Sequence, residues 1–96
     1  MGAAIDGFPN FFTIFGPNTA TGHSSAILAS ENMVEMVLKF IKPILQGDVS
    51  IVEIKKEAEL KWARDTQSEL KKRVWNTGGC KSWYQTDEGW NSTSYP

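Results

Sequence analysis

The sequence holds one cysteine, Cys80, and one histidine, His23. A single thiol excludes an intramolecular disulfide framework and any site built from several cysteines. One imidazole beside it leaves too few ligands for a structural zinc site within one chain. Charge of one sign is also missing. Ten Lys and Arg stand against eleven Asp and Glu, for a net charge of −1. That balance offers no electrostatic case for nucleic acid or an anionic membrane as partner. No apolar run approaches the length of a bilayer, because the longest helical candidate is interrupted by Glu31, Glu35, Lys39 and Lys42. Residues 1–6 lack the basic and apolar regions of a signal peptide, so a cytoplasmic location is expected. Asn91-Ser92-Thr93 is a formal glycosylation acceptor, meaningful only in a secreted protein and read here as chance.

What is present fits one small domain of 96 residues. The chain is 41% hydrophobic and 22% charged, a composition suited to folding rather than disorder. Aromatics are in excess: four Trp, five Phe and two Tyr are many for a small domain to keep in water, and they point to packing. Residues 11–15 (FFTIF) form a short apolar run between turn formers. The pattern predicts a strand buried on both faces, as inside a parallel sheet. Residues 16–22 (GPNTATG) read as a loop. A helix is predicted over 24–46, with Ile27, Val34, Leu38, Ile41 and Leu45 in one row and Met33, Val37, Phe40 and Ile44 beside them. Pro43 should kink it or end it early, and Gly47 should stop it. Residues 50–54 are a short extended candidate. A second helix is predicted over 56–74, with pairs Glu57–Lys61 and Glu69–Arg73 and a narrow stripe of Ala58, Trp62, Leu70 and Val74. The tail from 76 onward shows no periodicity.

The order strand, Gly-rich loop, helix aims a helix N-terminus, with its unpaired N–H groups and positive dipole end, at whatever lies beyond the strand. A phosphate cradle is the natural first test, and it fails. A P-loop needs GxxxxGK followed by Ser or Thr, but five residues separate Gly16 from Gly22, and His23 stands where Lys belongs. A dinucleotide fingerprint needs GxGxxG, but position 18 is Asn and position 21 is Thr. His23 beside Ser24 and Ser25 lacks a third orienting group and the GxSxG turn; Ser24 is expected to cap the helix. Cys80, next to Lys81, reads as a half-buried thiol in a packed tail.

Gly7-Phe8-Pro9-Asn10-Phe11-Phe12, then Phe15-Gly16-Pro17-Asn18-Thr19, then Gly22-His23-Ser24-Ser25 resembles the C-terminal part of class B flavin-dependent monooxygenases. These include the Baeyer–Villiger monooxygenases, and the likeness looks strongest to fungal members of secondary metabolism. The family often reads GFPNLF, GPNT and GH.S in this order. The run 74–84 (VWNTGGCKSWY) is similar to its VWNSGGCRSWY stretch, and Gly89-Trp90-Asn91-Ser92-Thr93 continues it. The likeness covers 7–96, in two separate motifs.

The resemblance implies an enzyme that binds FAD and NADPH on two Rossmann-like domains and passes one oxygen atom from a peroxyflavin to a ketone or similar substrate. It implies an α/β fragment, with 1–47 as the strand–loop–helix part of an FAD-binding domain and 48–96 as a helix and irregular extension. Gly16, Pro17 and Asn18 would pass beside the cofactor. Ser24, Ser25 and Ala26 would aim backbone N–H groups at the flavin pyrimidine edge. Thr21, Gly22 and His23 would face the substrate. No residue of the chain is assigned as catalytic. The family's two GxGxxG motifs and its FxGxxxHxxxW fingerprint do not occur. The chain therefore reads as a C-terminal fragment, inactive alone, whose partners are the remainder of the FAD and NADPH domains and a small organic substrate. The competing reading is a free-standing helical interaction protein without catalysis. A small autonomous enzyme built on His23 and Cys80 has no supporting pattern. Made by itself, the chain is expected to aggregate or to be partly molten; a sharp cooperative melt of the isolated monomer would contradict this.

Overall fold

The computed structural model describes residues 2–96. Three helices follow in chain order: α1 (Ala26–Leu45), α2 (Lys56–Leu70) and the single-turn α3 (Val74–Thr77). Among the described residues there is no strand, only two isolated bridges, Ala20 with Ser94 (parallel) and Gln85 with Asn91 (antiparallel). The expected doubly buried strand at 11–15, and with it the Rossmann-like α/β unit, is therefore wrong.

The physical reason lies in where the backbone groups of that run go. A strand needs a neighbouring ladder, and no described segment provides one. Thr13 instead donates its N–H to Ala3 O at 2.9 Å and its hydroxyl to Gly2 O. Phe11 N–H turns back to Phe8 O, and Phe15 N–H meets the Met33 sulfur. Phe15 itself sits at φ 58, outside the extended region. Phe11, Ile14 and Phe15 are all exposed, so the run is apolar without being enclosed.

The helices follow their periodicity more closely. Ser25, one residue later than expected, is the N-cap of α1, and its Oγ accepts the Leu28 N–H at 3.3 Å. Pro43 lies in the last turn, where Gln46 N–H still reaches Lys42 O. Gly47 then takes φ +79 and donates to Ile44 O, a left-handed stop that suits glycine. The second predicted helix is shorter than its pattern. α2 ends at Leu70, the Arg73 backbone turns extended, and α3 restarts at Val74. Arg73 thus leaves the helix, and Glu69 pairs with Lys72 instead; likewise Lys61 pairs with Asp65 rather than Glu57. Both pairs are exposed and screened by solvent, so they add little to stability.

Residues 50–54 form no strand, but their backbone is read by one side chain. Asn10 accepts the Val52 N–H on Oδ1 (2.9 Å), donates its amide to Ser50 O (3.1 Å) and gives its own N–H to Val52 O (2.9 Å). Beside it, Asp6 N–H donates to Glu59 Oε2 (2.7 Å) and Gly7 N–H to Glu53 Oε1 (2.8 Å). The N-terminal segment is thereby laced along the start of α2.

Burial is sparse. Among the described residues only Ala3, Val37 and Leu70 are buried apolar side chains, against the buried polar Asn18, Thr66, Gln67, Asn91 and Ser94. No Cα of α1 comes within 8 Å of α2 or α3. The accessible surface is 6905 Å², against about 5500 Å² for a compact monomer of this mass. The radius of gyration is 15.1 Å, against about 12.5 Å. No helix among the described residues is long and apolar enough to cross a membrane.

The Asp6–Glu59 contact is pH-sensitive. Partial burial would raise the Glu59 carboxyl, but hydrogen bonds, the Asp6 N–H first among them, outweigh it and hold the group at about 2 instead of 4.5. The Asp6 carboxyl is pushed up, chiefly by its hydrogen bond to Glu59. A depressed carboxyl stabilises the fold above its unfolded value, and this contribution is lost as pH falls through the folded one. In a carbon-labelled chain the Glu59 carboxyl should titrate near 2, and a midpoint at its ordinary 4.5 would show that the contact does not form.

Candidate functional site

The sequence motifs meet in a buried cluster of amides. Asn18, of the GPNT run, donates both side-chain N–H groups, to Asn91 O at 2.7 Å and Ser94 O at 2.9 Å. Its backbone N–H reaches Ser92 O, and Ala20 exchanges bonds with Thr93 O and the Tyr95 N–H. Asn91 is fully enclosed. Its Oδ1 accepts the Thr93 and Ser94 N–H groups, and its amide donates to Asn76 Oδ1 and Ser94 Oγ. From α2, Gln67 bonds both main-chain groups of Asn91, donating to its carbonyl at 2.7 Å and accepting its N–H at 3.2 Å. Every buried side-chain polar atom among the described residues has a partner, as a polar cluster in low dielectric requires.

This cluster divides the candidate cofactor residues in two. Gly16, Pro17 and Asn18 are held from behind. A Cβ on Gly16 would fall 2.2 Å from Gly2 O, and both Asn18 side-chain N–H groups are engaged with the tail. Thr21 is half-buried, whereas Gly22, His23, Ser24, Ser25 and Ala26 are exposed at the head of α1. There the Ala26 and Ile27 N–H groups have no acceptor among the described residues, while Leu28 and Ala29 N–H are taken by Ser25. No hydrogen bond joins His23 to either serine. Cys80 is an exposed free thiol rather than a half-buried one, and among the described residues no group of His, Cys, Asp and Glu could hold a metal ion.

Two apolar openings flank α1. An open groove of about 640 Å³ runs along Met33, Met36 and Phe40, facing Phe8, Phe11 and Phe12. A shallower depression on another side is lined by Phe15, Ile27 and Val34. The helix therefore offers apolar surface in two directions and buries only Val37. Gln67, Asn76, Asn91, Ser94 and Trp75 carry the arrangement, yet no periodic signal marks them. The available cues were the family-like runs at 74–84 and 89–93, which contain Trp75, Asn76 and Asn91, and the repeated Asn-before-hydroxyl pattern at Asn18-Thr19, Asn76-Thr77 and Asn91-Ser92, typical of side chains that bond nearby backbone.

No protein-family model matches the chain, and no solved structure matches it significantly. Known sequences do. A Baeyer–Villiger monooxygenase of Streptomyces coelicolor is 38% identical over 99% of this chain, and one of Pseudomonas aeruginosa is 35% identical over the same share. An FAD-binding monooxygenase of Aspergillus niger is 26% identical, again over 99% of the chain. The chain spans 18% of the length of the two bacterial relatives. Along nearly all its length it is homologous to a segment of monooxygenases of the Baeyer–Villiger kind. The two bacterial enzymes share more residues with it than the Aspergillus enzyme does, so the likeness is not specially fungal.

Replacing Asn91 by Ala keeps its main-chain bonds to Asn18 and Gln67 but strands Asn76 Oδ1, Ser94 Oγ and the Thr93 and Ser94 N–H groups. Hydrogen exchange at Ala20 and Tyr95 should accelerate by about thirtyfold, the loss of roughly 2 kcal/mol, with α2 little changed. Exchange mass spectrometry checks this. The same burial should keep Asn91 from accepting a glycan in the folded chain.

Proposed function

From this kinship we propose that the chain is the C-terminal part of an FAD- and NADPH-dependent monooxygenase that inserts one oxygen atom into an organic substrate, a ketone or similar compound, and that it is inactive alone. One observation carries the reading. A chain homologous along nearly its whole length to such enzymes leaves its longest helix, 20 residues, with a single buried side chain and a groove of about 640 Å³ beside it. That surface suits further polypeptide of the same enzyme. Residues 1–47 would belong to the FAD-binding part and 48–96 to an extension over it.

The exposed head of α1 fits a flavin better than a phosphate. Two free N–H groups, Ala26 and Ile27, sit at the positive end of a long helix dipole, a donor set suited to the electron-rich edge of a ring. No lysine or glycine cradle accompanies it. When bound, the flavin supplies the chemistry of oxygen activation. The chain's part is to donate hydrogen bonds from 26 and 27, and to favour negative charge on the ring edge they face. Ser24 and Ser25 shape the approach, the latter holding the first turn through its cap. Gly16, Pro17 and Asn18 form the fixed edge of the site, and Thr21, Gly22 and His23 face the substrate.

The test is a chimera in which this chain replaces the matching segment of the Streptomyces coelicolor relative. It should retain FAD through gel filtration and consume NADPH and oxygen with a ketone. A well-folded chimera that holds no flavin overturns the reading. Ala26→Pro refines it, because Ser25, at φ −73 and ψ 123, already has the conformation required before proline. The helix should persist while FAD affinity falls about three- to tenfold, as one hydrogen bond is lost.

A further inference from the structure

The loop that leads into α1 is held from the far half of the chain at two points. One is the amide cluster at Asn18 and Ala20. The other is Trp75. A Cβ on Gly22 would lie 2.6 Å from Cη2 and 3.1 Å from Cζ3 of the Trp75 ring, so the indole is pressed on the loop backbone where only glycine fits. Trp75 is braced in turn. Its carbonyl accepts the Gln85 amide at 2.8 Å, and its ring meets Tyr84 edge-on at 5.9 Å. Its neighbour Asn76 belongs to the amide cluster. The single turn of α3 thus sets a ring against the loop and an amide against Asn91, which in turn holds the loop at Asn18.

Between Ala20 and α1, residues 21–25 make no hydrogen bond to any described segment outside the first turn of α1. The ring on Gly22 therefore supplies a restraint on this stretch that hydrogen bonding does not. We infer that Trp75 is a positioning residue, whose indole fixes the Gly22 turn and so sets the direction in which α1 presents its first N–H groups. The inference rests on the FAD reading proposed above. Trp75 touches no reacting atom in this scheme; it acts through the loop.

The test uses the chimera with Trp75→Ala, Trp75→Phe and Gly22→Ala. Trp75→Ala should speed hydrogen exchange in a peptide covering 20–28 by about tenfold or more, leaving 56–70 unchanged. In the same variant FAD affinity should fall about three- to tenfold and the flavin reduction potential should shift. Trp75→Phe should lie between the two. Gly22→Ala, which displaces the ring from the other side, should reproduce the Ala variant. Unchanged exchange at 20–28, a uniform rise along the chain, or an unchanged flavin affinity and potential would each overturn the inference while leaving the FAD reading intact. A folded parent chimera without flavin would overturn both.

Discussion

The fully enclosed residue Asn91, through both its main chain and its side chain, is the point on which the rest of this structure depends. Among the described residues three apolar side chains are buried and five polar ones, so the usual organiser of a small domain, a continuous hydrophobic core, is small here. In its place one residue joins four segments. Its main-chain carbonyl takes N–H groups from Asn18 and Gln67, its side-chain Oδ1 caps the turn at 93–94, and its side-chain nitrogen reaches Asn76. Each bond is worth little net, about 1 kcal/mol, but leaving any one unmade inside the protein costs more than making it gains. A cluster of this kind behaves as all or nothing. It closes the loops between residues 18 and 94, 76 positions apart in the chain, and that closure is what brings the two sequence motifs together.

The position of α1 follows from this. The cluster and the Trp75 ring secure the loop in front of the helix, yet among the described residues no Cα of another helix comes within 8 Å of the helix body. Its apolar rows face two open depressions instead. A helix so anchored at its head and so bare along its length is unusual for a self-sufficient domain, where burial of such rows is the main favourable term. Both features fit the proposed place of this chain as a segment of a larger oxygenase, to part of which nearly its full length is similar. The anchoring is internal to the segment, and the bare face suits structure contributed from elsewhere in an enzyme more than five times as long, of which this chain spans 18%.

Local patterns were legible, and their failures are instructive. The 3.6-residue spacing of Ile27, Val34, Leu38 and Ile41 located α1 to within two residues at its start, the cap falling on Ser25 rather than Ser24. The same spacing overran α2, because Val74 continues the stripe in sequence while the backbone turns at Arg73 and leaves Val74 exposed. The run at 11–15 looked like a strand because its residues favour one. Propensity cannot supply the neighbouring ladder, and the N–H groups found turns and a sulfur instead. Of the residues proposed to face a cofactor, Asn18 lay in a recognisable motif, but its engagement with Asn91 and Ser94 was not readable, since amide pairing across 73 residues leaves no periodic trace.

By itself the sequence determined the two long helices, the stop at Gly47, and the kinship carried by its motifs. Those features depend on residues near one another in the chain, where spacing, capping and glycine geometry act directly. Tertiary structure alone decided that Asn18, Gln67, Asn76 and Asn91 share one buried site, that Trp75 closes on Gly22, and that the apolar run at 11–15 remains unpaired. Each of these depends on which distant group satisfies a given N–H or carbonyl. Many segments of equal composition could do so, and only the folded chain selects among them.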